Sequence, residues 1–262
     1  DVLGSRGLGD VYKRQNIFYK LGDFMTVNIN AYKEMLNQPW GKIMYRLIFA
    51  QLSHIKDKQV LDFGAGFGTT SEYLSQNNTV TAIEPNADML FADGTQTFTK
   101  INGSLDALKE LPDSSFDIIV CHNVFEYIDK SQHQKYLNEF ERLLKPHGEL
   151  SLIKHNLTGK VLHQVIFNNN IEDALYLLDG KDSYNSSSFG RGETYSIEEL
   201  TNKTNFTLEN YQGLRTFYAL QPNEFKTEDG WLERLTKMEL AVANQKPYKD
   251  IAFLQHLTLR KN

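Results

Sequence analysis

Apolar residues along this chain recur first at helical and then at strand spacing, and the change of period marks out the elements. From Trp40 to Leu52 they fall at Ile43, Met44, Leu47, Ile48 and Ala50, three and four apart, which predicts a leading amphipathic helix. Nearly continuous apolar runs at 58–63, 79–84, 98–102, 116–121 and 149–155 predict strands. Amphipathic stretches separate them at roughly 69–76, 86–93, 104–110 and 131–145. Strand and helix in alternation argue for a parallel, doubly wound sheet covered on both faces. After Asn156 the rhythm changes: 159–168 and 171–178 read as helices, and 180–192 is polar and rich in Ser, Gly and Asn. Ser196 with Glu199 makes a capping-box pattern that opens another helix. Phe206 to Tyr218 reads as a sixth strand and its exit, 228–243 as a helix, and Ile251 to Leu259 as a last strand. The expected fold is therefore α/β, a doubly wound seven-stranded, mostly parallel sheet. A helical lid is expected at 25–55, the main domain at 56–262, and an insertion after the fifth strand at about 157–194.

Composition narrows the function classes. The 262 residues are 40% hydrophobic with a net charge of −5, which suits one domain with an appendage. No apolar run is long enough for a helix to span a bilayer. The single cysteine, Cys121, sits within a predicted buried strand. It excludes an internal disulfide, reads as a small core residue and fits a reducing cytoplasm. The acidic balance argues against broad binding to nucleic acid. The seven histidines show no ligand spacing, so no metal is expected.

The first residues carry a different message. Asp10-Val11-Tyr12-Lys13-Arg14-Gln15 can be spelled GAT-GTG-TAT-AAG-AGA-CAG, the end sequence of a transposon-based sequencing adapter. Leu21 to Met25 can be spelled with a ribosome-binding AGGAG just before a start codon. The expectation is that 1–24 is a non-native leader and that the protein begins at Met25.

The chemistry concentrates in Asp62-Phe63-Gly64-Ala65-Gly66-Phe67-Gly68, where an apolar strand ends on an acid and turns through glycines at alternate positions. Such a turn makes a ligand shelf at the carboxyl end of a strand. A dinucleotide fingerprint needs its third glycine where Thr69 stands, and Asp62 is a poor neighbour for a pyrophosphate. An acid there suits a cofactor bearing an ammonium group. About twenty residues on, Val80 to Glu84 reads as a second strand ending on an acid that can accept both hydroxyls of a ribose.

This order of segments resembles the class I S-adenosylmethionine methyltransferases. His122-Asn123-Val124-Phe125-Glu126-Tyr127, His155-Asn156, Gly213-Leu214-Arg215-Thr216-Phe217 and Gln245-Lys246-Pro247-Tyr248 are most similar to the tRNA carboxymethoxyuridine methyltransferase group. The resemblance implies S-adenosylmethionine as cofactor and a wobble-uridine carboxylate as methyl acceptor. It places Asp62, Gly64, Ala65, Gly66, Gly68, Glu84, Pro85, Met89, Ser104, Leu105 and His122 around the cofactor. Three departures stand out: Glu84 replaces an aspartate, Met44 falls where the group has an arginine, and Gly180 to Gly192 offers only Lys181 and Arg191 in place of a basic cluster.

Methyl transfer is an in-line displacement that needs alignment more than acid–base groups. His155 and Tyr127 are the candidate catalytic residues, His155 as a base near neutral pH or as an ordinary histidine. Arg215 is the candidate substrate anchor, since a guanidinium pairs with a carboxylate or phosphate, and Asn156 is placed beside it. Three functions stay open: a tRNA methyltransferase, a methyltransferase of a small metabolite, and a cofactor-binding sensor or scaffold without transferase activity.

Overall fold

The computed structural model describes residues 29–94, 97–180, 183–186 and 190–262. The expected leader at 1–24 and Lys181 lie outside the described residues. Five strands run parallel: β1 (Gln59–Phe63), β2 (Thr79–Glu84), β3 (Thr99–Asn102), β4 (Phe116–His122) and β5 (Leu144–His155). A small hairpin, β6 (Ser183–Ser186) with β7 (Gly190–Glu193), stands apart from the main sheet. The sheet is completed by β8 (Phe206–Leu214) and β9 (Leu254–Lys261), in the order β3-β2-β1-β4-β5-β9-β8. Only β9 runs against its neighbours. The strand order reverses between β1 and β4, and such a switch point opens a crevice at the carboxyl ends of the strands.

The central strands are buried on both faces, which is why they read as unbroken apolar runs. On one face pack α1 (Ile29–Leu36), α2 (Pro39–Leu52), α3 (Thr69–Ser75) and α4 (Ala87–Leu90), with Ile43, Leu47, Val60, Leu74 and Ile153 at the core. On the other lie α5 (Leu105–Lys109) and α6 (Lys130–Leu143), where Leu61, Phe63, Cys121, Leu137 and Phe140 meet. Pro39 begins α2 at a position where no N–H is needed. Asp129 caps α6, its side chain accepting from the Ser131 N–H. The insertion holds α7 (Leu157–Ile166), α8 (Ile171–Leu178) and the hairpin, and α9 (Ile197–Thr201) follows under the expected capping box. α10 (Trp231–Val242) and α11 (Tyr248–Ile251) lead into β9.

Some boundaries differ from those expected. The stretch 144–148, expected to end the preceding helix, belongs to β5; Phe116 pairs with Leu144 and the register shifts before Ile118. The polar 180–192 contains the β6–β7 hairpin, whose side chains carry no apolar alternation to announce it. The expected helix at 86–93 is the single turn α4, and Ile251 ends α11 rather than starting β9.

Candidate functional site

The turn after β1 is organised by one carboxylate. The Gly64 and Ala65 N–H groups donate to the Ile83 carbonyl at 2.8 and 3.1 Å, tying the turn to β2. The Gly66 N–H then donates to Glu84 Oε2 at 2.9 Å, and the Asn86 N–H to Glu84 Oε1 at 2.8 Å. Each oxygen of an ionised carboxylate can accept further bonds, so Glu84 keeps acceptor capacity for a pair of ligand hydroxyls. Burial raises its pKa, while the bonds from Asn86 and Gly66 pull it back. Gly64 has φ +75°, and a Cβ there would sit 2.3 Å from Val124 Cγ2, so no side chain fits. Met89 lies beneath Gly66, its Cε 3.3 Å from where a Cβ would stand. Asn102 Nδ2 donates to the carbonyls of Glu84 and Pro85 at 2.9 Å each. Ser104, one residue before Leu105, shares a 3.1 Å hydrogen bond with the Tyr136 hydroxyl. Gly68 precedes α3 in the left-handed region.

Asp62 lies behind this shelf. It is buried and accepts from Ser71 Oγ at 2.6 Å. Burial raises its pKa to about 6, against the Ser71 bond and with help from the Glu84 charge. Tyr45 from α2 is its neighbour, with a phenol pushed up to about 12 by burial. α1 closes the other side. Tyr32 stacks on Phe67 of the glycine turn at 5.7 Å and 17°, and Lys33 reaches Asp93 at 2.9 Å. Burial raises the Tyr32 phenol, and Tyr45, Tyr127 and Glu84 add to it, so one aromatic side chain bridges α1, turn and acid.

His122 ends β4 with its tautomer fixed from far away. Gln51 Nε2 donates to the Gly213 carbonyl at 3.3 Å, which can only accept, so Gln51 Oε1 faces His256 Nδ1 at 2.7 Å. His256 Nδ1 therefore carries the proton. Its pKa is pushed down to about 4 by burial, so Nε2 is bare and accepts from Ser151 Oγ at 2.7 Å. The one Ser151 proton being spent, its oxygen accepts from His122 Nε2 at 3.0 Å. Burial keeps His122 neutral, which leaves a lone pair on Nδ1, a buried atom with no hydrogen-bond partner among the described residues.

Beyond β4 and β5 the polar groups are of another kind. Glu126 is buried in a one-turn 3-10 helix (Phe125–Tyr127); Oε1 accepts from the His155 N–H at 2.6 Å, and Oε2 has no hydrogen-bond partner among the described residues. Its pKa is raised to about 7 by burial. Tyr127, in the same turn, reaches toward both Tyr32 and Tyr184. The His155 ring lies between Tyr184 and Phe253, at 5.2 and 5.4 Å. Burial, then Lys160, Arg215 and Lys154, hold it well below the usual histidine range, so it stays neutral. A base titrating near neutral pH is thus not favoured at His155, because burial first and three cations after it oppose its protonation. Asn156 spends both amide protons on the Asp250 and Ala252 carbonyls at 2.8 Å, which fits a strut from the end of β5 to the end of α11.

Arg215 follows β8 with φ +60° and is 6% exposed. Its guanidinium carbon lies 5.5 Å from the Trp40 ring and 4.9 Å from those of Tyr218 and Phe253. Its Nε has no hydrogen-bond partner among the described residues. Lys160 of α7 stands beside it, 8% exposed, its ammonium 3.2 Å over the Tyr184 ring. The sequence shows Arg215 through its apolar flanks. It does not show Lys160, Tyr32 or the Ser151–His256–Gln51 chain, because their partners lie far away in sequence, 205 residues for Gln51 and His256, and carry no local pattern. A separate cavity of about 490 Å³ between α2, β5 and β8, lined by His54, Glu149 and Arg260, touches none of the glycine turn. No group of three or more His, Cys, Asp and Glu residues able to hold a metal occurs among the described residues. Nor, among them, is any helix long and apolar enough to cross a membrane.

Comparison with known proteins agrees with this geometry. Residues 61–152 match the methyltransferase-domain family Methyltransf_11. No curated protein sequence matches the chain. Solved structures do. An S-adenosylmethionine-dependent methyltransferase from Methanosarcina mazei is 16% identical with TM-score 0.52, covering 79% of this chain and 93% of that one. The 1,6-didemethyltoxoflavin-N1-methyltransferase of Burkholderia thailandensis, solved with 1,6-didemethyltoxoflavin and S-adenosylhomocysteine, is 13% identical with TM-score 0.53, covering 100% and 93%. The plantazolicin methyltransferase BamL, in complex with a triazolic desmethylPZN analog and S-adenosylhomocysteine, is 15% identical with TM-score 0.51, covering 88% of each. The fold is thus the Rossmann-like class I methyltransferase fold, residues 61–152 form a methyltransferase domain, and the chain is an enzyme whose cofactor is S-adenosylmethionine.

Proposed function

We propose that this enzyme methylates a small-molecule acceptor bound beyond the carboxyl ends of β4 and β5. The observation that carries this reading is where the insertion puts its charge. Lys160 points inward beneath Tyr184, and Arg191 pairs with Glu193 at 3.4 Å. Among the described residues the insertion therefore offers no exposed, unpaired cation, whereas an RNA backbone is held mainly by such cations. The bound small molecules of the toxoflavin and plantazolicin enzymes support the same reading by analogy.

S-adenosylmethionine supplies an activated methyl group on a sulfonium. The residues present suit it. Glu84 retains acceptor capacity for ribose hydroxyls, Asp62 is a buried acid beside the turn for the cationic end, and Ser104 and Leu105 flank the adenine side. Tyr32 excludes water from above, and His122 Nδ1 offers a lone pair to a ligand donor. Tyr127 stands between lid and insertion, where it orients the acceptor. With alignment and desolvation supplied, the displacement needs no metal and no obligatory base.

The test is methyl transfer from labelled S-adenosylmethionine to a small-metabolite extract and, separately, to total tRNA. The expected result is label in the small-molecule fraction. Label only in tRNA would overturn the proposal in favour of the wobble carboxylate. Cofactor binding with no transfer to either pool would favour a sensor.

A further inference from the structure

Several cations among the described residues sit at the surface beside an acid or a carbonyl, as Lys33, Arg142, Lys145 and Arg260 do. Arg215 and Lys160 do not. Both are more than nine-tenths buried, yet neither makes a hydrogen bond or an ion pair among the described residues. Uncompensated buried charge is costly and is retained where a ligand supplies the counter-charge. The two side chains face one ring: the Arg215 guanidinium is 4.9 Å and the Lys160 ammonium 5.3 Å from the Phe253 centroid. A third cation, Lys226, shares the Tyr218 ring with Arg215, at 4.1 and 4.9 Å. Glu239 acts on Arg215, and Glu126 on Lys160, through charge alone, with no hydrogen bond to either cation among the described residues. Glu239 accepts from the Thr216, Phe217 and Tyr218 N–H groups, and Glu126 Oε1 from that of His155. The Arg215 backbone is held at φ +60°, a conformation disfavoured for this residue type, and strain of that sort collects at ligand sites.

We propose that Arg215 and Lys160, with Lys226 behind them, form an anion-binding site walled by Trp40, Tyr218, Phe253 and Tyr184. It takes a carboxylate or phosphate group of the methyl acceptor. The aromatic walls accommodate a flat apolar body next to the anion, and the guanidinium fork favours bidentate oxygens. The ligand's identity as the acceptor rests on the methyl-transfer reading; the existence of the anion site does not.

The test uses the full chain saturated with S-adenosylhomocysteine, whose binding is measured first and reports on the methyltransferase reading separately. Melting temperature is followed with sodium benzoate and with inorganic phosphate, against sodium chloride at equal ionic strength. Wild type is expected to gain several degrees with benzoate, phosphate or both, and the better probe identifies the anion. Arg215→Met and Lys160→Met are expected to lose that gain, with at least a tenfold weaker response to anion. Without anion they should melt at or above wild type, since each removes an unpaired buried charge. No anion-specific shift in wild type, a shift that survives in both variants, or a lower melting temperature in both overturns the proposal.

Discussion

Glu84 binds loop and ligand with the same two oxygens, so its replacement has a sharp expected outcome. In Glu84→Gln one oxygen becomes an amide nitrogen that opposes a backbone N–H. The Gly66 or Asn86 contact is then lost together with a ribose acceptor. A charged-acceptor bond is worth about 1.5–3 kcal/mol. Affinity for S-adenosylhomocysteine should fall at least tenfold by calorimetry, and a change below twofold would contradict the assignment. Asp62 gives a pH signature. Its pKa, raised to about 6 by burial, lies above that of the unfolded chain. Between about pH 4 and 6 the folded state holds more protons on this group, so its contribution makes stability fall as pH rises, by about 3 kcal/mol in all. Asp62→Asn should flatten that slope and raise the melting temperature of the ligand-free protein at pH 7. It should also weaken S-adenosylmethionine, whose cationic end favours the ionised acid. Parallel pH curves for the two proteins would refute this.

At the scale of elements, two connections hold the site together, and neither is visible in a local pattern. The first is the chain Gln51–His256–Ser151–His122, which runs from α2 through β9 and β5 to β4. Ser151→Ala would strand two buried ring nitrogens at about 1–3 kcal/mol each, so urea denaturation should show a loss of roughly 2 kcal/mol or more. The second is the stack of Tyr32 in α1 on Phe67. Tyr32→Ala is expected to speed release of S-adenosylhomocysteine several-fold in stopped flow while the ligand-free melting temperature barely moves. An unchanged off-rate would remove α1 as a lid. What was legible at this scale was the cofactor half. Strand, glycine turn and acid lie within 25 residues of one another, and their spacing alone determines how they meet. The acceptor half is assembled from β5, α7, the hairpin and the exit of β8. Arg215 could be singled out there, but its companion Lys160 looked like any lysine on an amphipathic helix.

Over the whole molecule, the acidic net charge of −5 hides a buried cationic pocket, so bulk charge says little about what the site takes. The positions of the central strands are readable because sheets buried on both faces leave apolar runs. The hairpin is not, because a short polar two-stranded ribbon leaves no period to read. The account rests on the end of the sheet where Glu84 and the glycine turn face α1. Calorimetric titration of the full chain with S-adenosylhomocysteine, beside the same titration of Glu84→Ala, tests it most directly. The predicted result is one-to-one binding in wild type that drops more than tenfold in the variant. Absence of binding in wild type, or equal binding in both, would contradict it.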